Sequence, residues 1–301
     1  MNFSQLRAFL AVVDRQGISR ATDDLALTQS AVSRQIQSLE QSLGMKLFVR
    51  QGRSLSLTDA GRIVLEHGRR ILRGVGEIQD ALDGLKGLKR GHLRIGAAST
   101  IGTYLLPEPL GAFKGQFPGI EITLEIANKA ETLRRLLAQE IDVGFVGPPI
   151  RAAGLVADEY LEDELVLITA PAHPLAGSPS VGARDLADEV FIMRERGSGT
   201  REIMEEELLR AGLEIRKVME LGSSEAIKQA VAAGLGVSLV SRYAITLEIL
   251  TGRLCSAGVR DLRLTRQLYA VYRQQGPLPW AAAAFLEFMK GKGLDRSPRS
   301  D

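Results

Sequence analysis

The amino-acid sequence predicts a winged helix-turn-helix at the N-terminus, joined by a long linker helix to an α/β domain of two Rossmann-like lobes. Three observations lead to this fold class. Two short amphipathic helices meet at a tight turn within residues 18–43, heptad-spaced apolar residues follow residue 59, and strands alternate with helices from Leu93 onward. A chain of 301 residues is long enough to form two domains.

The second helix of the N-terminal pair has the two faces that a DNA-reading helix requires. Its apolar positions recur at helical spacing and would pack on the first helix, while short or planar polar side chains occupy the opposite face. Such side chains hydrogen-bond base edges and phosphates in the major groove. The predicted DNA contacts are Thr28, Gln29, Ser30, Ser33, Arg34 and Gln37, with Thr28 or Ser30 capping the helix. An ordinary helical hairpin with a solvated polar face is the alternative.

A two-stranded wing is predicted after this helix, with strands over residues 45–49 and 54–58. Arg50 and Arg53 lie near its tip, where arginines contact phosphates or enter the minor groove; solvated hairpin-tip charges are the alternative. We place the DNA-binding domain at residues 1–58. It contains seven Lys/Arg against four Asp/Glu, although the whole chain carries a net charge of only +2. This local basic excess suits a nucleic-acid partner.

A long helix is predicted over the next segment, and we assign residues 59–90 as a linker and dimerisation helix. Its apolar residues follow the 4–3 steps of a coiled-coil seam. The predicted seam residues are Val64, Ile71, Val75, Ile78, Leu82 and Leu85. A core helix within a single domain would show a similar pattern. Dimerisation is favoured because a helix-turn-helix reader of two half-sites needs two-fold symmetry.

Taken together, the first 90 residues resemble the DNA-binding half of a LysR-type transcriptional regulator. The matching runs are FLAVVDRQGISRATDDLALTQSAVSRQIQSLEQSLGMKLFVR and LSLTDAGRIVL, in the order helix-turn-helix, wing, LTDAG and long helix. Asp23 and Asp24 depart from the alanine or glutamate that many members carry there. The resemblance implies a DNA-binding regulator that forms a homodimer or homotetramer and recognises double-stranded DNA.

The remaining residues, 91–301, have the strand and helix alternation of an α/β fold. Two crossings between halves place lobe I at about residues 91–161 and 267–301, and lobe II at about residues 162–266. This organisation resembles the periplasmic-binding-protein-like effector domain of LysR-type regulators, so the resemblance covers nearly the whole chain.

Three junctions between a strand and the following helix are candidate effector contacts. Small hydroxyl or glycine residues occur there, and helix N-termini offer free N–H groups to a bound anion. The junctions are Ser99-Thr100, residues 197–201 and residues 222–224, and the effector-binding residues predicted there are Ser99, Thr100, Ser198, Gly199, Thr200 and Ser224. Gly147, after the third strand, is predicted to line the cleft through its backbone. Arg194, Arg196 and Arg201 add positive charge around the middle junction, so a small anion is expected. Plain N-capping is the alternative for each hydroxyl.

The run RERGSGTRE resembles two groups of LysR-type regulators, one that controls autotrophic carbon fixation and one that senses inorganic sulfur oxyanions. Our leading expectation is an inorganic oxyanion such as sulfite or sulfate. The alternative is a phosphorylated metabolite or NADPH, as the carbon-fixation group implies.

Other classes of protein are disfavoured by what the sequence contains. An α/β enzyme with an N-terminal oligomerisation arm would need a catalytic constellation, and none is apparent. A transport receptor would need a secretory signal, which the start MNFSQLRAF does not resemble. The single cysteine, Cys255, excludes a disulfide switch within the chain, and three scattered histidines do not suggest a metal site. We therefore expect a cytoplasmic regulator without a cofactor, a metal or a membrane partner.

Overall fold

The computed structural model describes residues 1–51, 54–85, 90–213 and 218–291. The chain divides into two compact units, Met1–Lys86 and Gly87–Asp301. Within the described ranges, no helix combines the length and apolar character needed to cross a bilayer.

Three helices form the core of the first unit: α1 (Phe3–Asp14), α2 (Ile18–Leu25) and α3 (Gln29–Leu43). The Asn2 side chain accepts a hydrogen bond from the Gln5 backbone N–H at the start of α1, and the Gln5 side-chain oxygen accepts one from the Asn2 backbone N–H. Helix α3 ends at Gly44, whose φ of +67° is a left-handed conformation that suits glycine. The buried faces of the three helices contribute Ala8, Val12, Ala21, Val32 and Ile36 to one apolar cluster.

A short hairpin and a long helix complete this unit. Strands β1 (Phe48–Gln51) and β2 (Ser54–Leu57) pair antiparallel, and α4 (Asp59–Leu85) follows. The predicted first strand began too early, at residue 45. Leu47 instead inserts its side chain into the core and donates its N–H to the Glu40 carboxylate at 2.9 Å. These contacts keep residues 45–47 out of the hairpin ladder. Within the assigned linker of residues 59–90, the helix is predicted to end at about Leu88; residues 86–89 fall outside the described residues, and Arg90 already belongs to a strand.

The second unit begins with three parallel strands. Strands β3 (Arg90–Ala98), β4 (Gly119–Ala127) and β5 (Val143–Val146) are separated by the helices α5 (Pro107–Gln116) and α6 (Lys129–Leu137). A single helix was predicted after Ser99. The structure has a π-helical turn at Ile101–Leu105 and then α5, which begins at Pro107. Because proline lacks an N–H and is favoured at the first position of a helix, α5 starts afresh at this residue.

The next elements build the second lobe. They are β6 (Leu155–Thr169), β7 (Ser180–Gly182), β8 (Phe191–Arg194), α7 (Gly199–Arg210), β9 (Val218–Leu221), α8 (Ser224–Ala232), β10 (Ser238–Ser241), α9 (Thr246–Leu250) and β11 (Cys255–Arg260). The chain then returns through β12 (Thr265–Arg273) and ends its described part with α10 (Trp280–Gly291).

Two long strands connect the lobes. Leu155–Glu164 of β6 pairs with β12, which also pairs with β5 of the first lobe. The last part of β6, Leu165–Thr169, pairs with β10 and β11 of the second lobe. The apolar clusters separate in the same way, with Phe113, Phe145 and Phe285 in the first lobe and Phe191 in the second. This arrangement confirms the predicted two-lobed α/β fold. Only the last five residues of β6 were predicted as strand, and β7 and β11 were not predicted.

Gly61 tests the packing of α4 against the hairpin. A Cβ atom at Gly61 would lie 2.2 Å from the Leu47 carbonyl oxygen and 2.9 Å from Leu57 Cδ2, whereas a Cβ atom at Gly74 of the same helix would meet nothing within 4 Å. Gly61→Ala should therefore reduce the free energy of unfolding of the first unit by about 1–3 kcal/mol, the usual penalty of overpacking. Gly74→Ala should leave it unchanged or raise it by up to about 1 kcal/mol, because alanine favours helix. Urea unfolding measures both; equal effects would refute the close packing.

Candidate functional site

The polar face of α3 is available at the surface of the first unit. Gln29, Ser30, Arg34 and Gln37 are exposed, and Ser33 is half-buried. Thr28 is the cap: its hydroxyl accepts from the Ala31 backbone N–H at 3.3 Å and lies 3.1 Å from Ser30 Oγ. Ser30 therefore contacts the cap rather than serving as it. The N-terminal end of α3 presents amide and hydroxyl groups, followed by a guanidinium one turn later.

The two predicted wing arginines fall at the limit of what the structure describes. Arg50 belongs to β1, but its side chain is outside the described atoms, and Arg53 is outside the described residues. Their contact with phosphates or the minor groove stays a prediction.

In the second unit, a cleft lies where the three parallel strands of the first lobe reach their carboxyl ends. Ser99 and Thr100 follow β3, Asn128 and Lys129 follow β4, and Gly147 follows β5. The second lobe contributes Arg194 from the end of β8 and Ser198, Gly199 and Thr200 from the start of α7, while Arg266 comes from the connecting strand β12. Ligands of open α/β sheets bind at this edge, beyond the carboxyl ends of the strands.

Three cationic side chains line this cleft, and each is held by a carboxylate. Arg266 Nε and Nη2 lie 2.8 and 2.7 Å from the buried Asp163 carboxylate, and Arg194 makes two hydrogen bonds to Glu195, of 2.8 and 2.9 Å. Lys129 Nζ donates to Glu202 at 2.5 Å and to the Pro149 carbonyl at 3.1 Å. All three cations are at least 93% buried, so each ion pair lies at a place where water screens its charges weakly.

Two helix N-termini approach each other across the cleft. The N–H of Ala130, in the first turn of α6, donates to the Gly197 carbonyl just before α7 at 3.3 Å. Gly197 has a φ of +87°, and a Cβ atom there would lie 3.3 Å from the Ala130 Cβ, so this approach favours glycine. The partial positive charges of both helix ends add to those of the three cations. The cleft is therefore suited to an anion.

The hydroxyl groups differ in how they are used. The Ser198 hydroxyl accepts no hydrogen bond from the backbone of α7, although Ser198 is the N-cap residue and is buried. The Thr200 hydroxyl accepts from Arg266 Nη1 at 3.0 Å and keeps its own proton for donation. Helix N-capping, the alternative role, is therefore not the role of the Ser198 or Thr200 hydroxyl.

Six of the seven predicted effector residues line one cleft, and Ser224 does not. The α8 cap is Ser223, whose hydroxyl accepts from the Ala226 backbone N–H at 3.1 Å. Ser224 accepts from Arg194 Nη1 at 3.2 Å, so it positions a cleft arginine. Of the three arginines expected around the middle junction, only Arg194 lines the cleft. Arg196 is exposed, and Arg201 pairs with Glu205 and Glu220, which raise its pKa.

The sequence analysis missed three polar cleft residues, Asn128, Lys129 and Arg266. Asn128 caps α6, since its side chain accepts from the Glu131 backbone N–H at 2.9 Å, and this capping signal was present in the sequence. The sequence pattern predicts this helix from about Ala130, one residue later than α6 begins, and so excludes both Asn128 and Lys129. Arg266 carried no local signal, because its contact with Thr200 joins residues 66 apart in the chain.

A second contact between the lobes involves the π-helical turn that follows Thr100. Tyr104 donates its phenolic proton to Glu225 at 2.9 Å, and its ring centroid lies 5.1 Å from the Lys228 ammonium. Burial opposes the charge of Lys228, but the hydrogen bonds that its ammonium group makes with Glu248, Tyr104 and Glu225 outweigh this effect, so the pKa of Lys228 is raised. This cluster joins the turn beside Ser99 and Thr100 to helix α8 of the second lobe.

The predicted dimerisation residues divide into two groups. Ile71, Val75, Ile78 and Leu82 are exposed along α4, as is Ile63, which was not predicted. Val64 instead packs on the apolar cluster of Phe9, Leu39 and Leu47 within its own unit. The side chain of Leu85 is outside the described atoms. The apolar surface that a second copy would cover therefore lies mainly beyond residue 70.

Comparisons with known proteins point to one family for both units. The model described as "Bacterial regulatory helix-turn-helix protein, lysR family" matches residues 3–62, and the model "LysR substrate binding domain" matches residues 86–293. The chain is also 40% identical over 289 residues to the RuBisCO operon transcriptional regulator of Allochromatium vinosum, covering 96% of this chain and 95% of that protein.

Solved structures give the same picture. The regulatory domain of CcmR from Synechocystis PCC6803, in complex with 2-PG, is 32% identical to this chain with a TM-score of 0.65, and the match covers 69% of this chain and 99% of that one. Full-length CbnR complexed with its target DNA is 26% identical with a TM-score of 0.75, covering 97% of this chain and 99% of CbnR.

The Asp163–Arg266 pair yields a test of how the cleft is held. Asp163→Asn should reduce the free energy of unfolding by about 3–5 kcal/mol, because it leaves the buried Arg266 charge without its counter-ion. Asp158→Asn, on the same strand, is the control: Asp158 is partly exposed and contacts Tyr272 and Lys290 within the first lobe. Its effect should stay below about 1 kcal/mol. Denaturant unfolding that gives the two variants equal stability would contradict a structural role for the buried pair.

Proposed function

This chain belongs to the LysR family of bacterial transcriptional regulators, and we propose that it regulates transcription in response to a small anion that carries a phosphate and a carboxylate. The observation that carries the proposal is the cleft itself, where three buried cations and two helix N-termini meet hydroxyl groups that can donate to an anion. The homologues are named as transcriptional regulators, and the chain is not an enzyme.

The size of the cleft supports a compact ligand. Its cavity is only about 20 Å³, close to the space that one water molecule needs. Any effector must therefore widen the cleft, and a two- or three-carbon phosphorylated acid requires much less widening than NADPH. Phosphate and carboxylate groups are also the ligands for which arginine is best adapted.

The relatives favour the same ligand class over an inorganic sulfur anion. One is named as a regulator of the RuBisCO operon, and the CcmR regulatory domain was solved with 2-PG bound. No comparison supports the expectation of sulfite or sulfate as the effector. The proposed effector is therefore a small phosphorylated carboxylate, and the proposed target genes serve carbon fixation.

The DNA-binding half works as a dimer or a higher oligomer in this proposal. Two copies of α3 would read half-sites separated by one helical turn of DNA, about 34 Å. The exposed apolar residues of α4 supply a surface for pairing, and CbnR was solved in complex with its target DNA. Effector binding then shifts the population between two arrangements of the oligomer. A regulator that binds the bacterial chromosome acts in the cytoplasm.

A ligand screen tests the effector class. Purified protein is titrated with 2-phosphoglycolate, 2-phosphoglycerate, sulfate, sulfite and NADPH, and thermal unfolding is followed. A ligand at 100 times its dissociation constant stabilises the folded state by about 2.7 kcal/mol, which should raise the melting temperature only for the phosphorylated carboxylates. A rise with sulfite or sulfate alone would return the assignment to an inorganic oxyanion.

The Ser198 hydroxyl should be part of the response. Ser198→Ala removes a donor that plays no part in capping α7, so stability should hardly change while the affinity for the phosphorylated carboxylate falls about tenfold or more. Ser256→Ala, at an exposed position of β11, is the matched control. Equal affinities of the two variants in isothermal titration would exclude Ser198 from the site.

Base reading by α3 is tested at Arg34. An operator is first enriched from a random-sequence library with the wild-type protein. Arg34→Ala should weaken binding to this operator by about 1–3 kcal/mol while binding to random DNA changes little, if the guanidinium contacts a base edge. Arg210→Ala, an exposed arginine on α7, should change neither affinity. Equal losses on operator and random DNA would show that Arg34 contacts only phosphate.

A further inference from the structure

We infer that Glu202 is an internal competitor for the effector's negative charge, and that its ion pair with Lys129 sets how strongly the cleft binds an anion. The inference rests on the proposed function, because it concerns the same anion site. Lys129 starts helix α6 in the first lobe, and Glu202 lies in the first turn of α7 in the second lobe. Their contact of 2.5 Å therefore spans the cleft.

Lys129 is placed to serve both carboxylate and ligand. Its side chain is only 7% exposed, and it lines the cleft together with Ser99 and Ser198. The stem of Lys129 passes close to Gly199, where a Cβ atom would lie 3.4 Å from Lys129 Cδ. An ammonium group has three donors; Glu202 and the Pro149 carbonyl take two of them. The third N–H remains for an anion, which meets a cation already neutralised by Glu202.

Glu202 is also the most exposed of the three carboxylates that hold the cleft cations. Its side chain is 39% exposed, against 25% for Glu195 and none for Asp163. Asp163 is further fixed by Ser241 at 2.6 Å, and Glu195 binds Arg194 through both oxygens. A carboxylate that leaves its cationic partner must be hydrated instead. This costs least where the carboxylate is already exposed to water. Lys129 is therefore the cleft cation whose charge an anion can recruit most readily.

Two opposite effects follow from the two possible roles of the ion pair. If Glu202 competes with the ligand, its neutralisation frees the Lys129 charge and removes a nearby negative charge, so anions bind more tightly. If the pair acts only as a clamp between the lobes, neutralisation loosens the closed cleft, so anions bind more weakly or as before. The sign of the change in affinity separates the two.

The experiment compares five forms of the full-length protein: wild type, Glu202→Gln, Lys129→Met, the double variant that combines these two changes, and Glu206→Gln. Glu206 lies on the same helix and pairs with the exposed Arg210, so it controls for the loss of one negative charge. The probes are 2-phosphoglycolate and inorganic phosphate, and the dissociation constants come from isothermal titration at fixed ionic strength.

Glu202→Gln should tighten the binding of both probes about tenfold or more, and Glu206→Gln should change it less than twofold. Lys129→Met should weaken binding about tenfold or more. In the double variant, the gain from Glu202→Gln should disappear, because a competitor has no effect without the cation for which it competes. Weaker or unchanged binding to Glu202→Gln overturns the inference, as does a gain that persists in the Lys129→Met background.

The two probes separate this inference from the proposed function. If 2-phosphoglycolate fails to bind but inorganic phosphate binds Glu202→Gln more tightly than wild type, the effector class is wrong and the role of Glu202 stands. If 2-phosphoglycolate binds every form equally, the proposed effector class stands and the role of Glu202 falls. Failure of both probes on all five forms refutes both.

Discussion

The buried ion pair between Asp163 and Arg266 is the constraint on which the effector cleft depends. It joins β6 to β12, the two strands that connect the lobes, and both side chains are shielded from solvent. Removing either charge would leave the other buried without a partner, so the pair fixes the register of the crossing. Asp163 also accepts from Ser241 of the second lobe, and Arg266 reaches Thr200 at the start of α7. One interaction thus ties the connection between the lobes to a residue of the cleft.

The cleft gathers three buried cations that are all paired with carboxylates of the protein. Each of Lys129, Arg194 and Arg266 already has a carboxylate partner, so the folded protein avoids the cost of an isolated buried charge. Helix N-termini and hydroxyl groups supply further donors, and Glu131 and Glu202, in the first turns of α6 and α7, offset part of the positive charge of those helix ends. Under the proposed function, this pairing would let an anion site be stable as a folded structure and still respond to a ligand. The three pairs differ in exposure, and this difference makes them unequal in response.

The first unit exposes the polar face of α3 while it buries the apolar faces of α1, α2 and α3. Its two clusters anchor α3 from beneath, through Val32 and Ile36 on one side and Leu39 on the other. Glu40 adds a polar anchor, since its carboxylate accepts from the Leu47 N–H and pairs with Lys46. The exposed side chains of α3 are thus carried on a helix whose position is set by its buried face. A rigid scaffold of this kind is what sequence reading in the major groove requires.

The sequence by itself determined the local features: the two-faced helix α3, its cap and its terminal glycine, the long helix and the alternation of strands and helices. Each of these features depends on contacts between residues fewer than ten positions apart, so periodicity and capping chemistry predict it. Hydroxyl and glycine residues after β3 and β8 also marked five residues of the cleft, since a strand followed by a helix N-terminus is a local pattern. The sixth, Gly147, follows β5, which leads into a loop and the strand β6.

Only the tertiary structure decided which charges meet. Arg266 and Asp163 are 103 residues apart and Lys129 and Glu202 are 73 apart, and no period or motif connects them. The contacts of Val64 and Ser224 also depend on the tertiary structure. Val64 fits the heptad repeat but packs within its own unit, and Ser224 lies at a helix start but accepts a hydrogen bond from Arg194. Local sequence fixes the face on which a side chain lies. The partner it meets depends on how distant segments pack, because buried charges and apolar faces must all be satisfied at once.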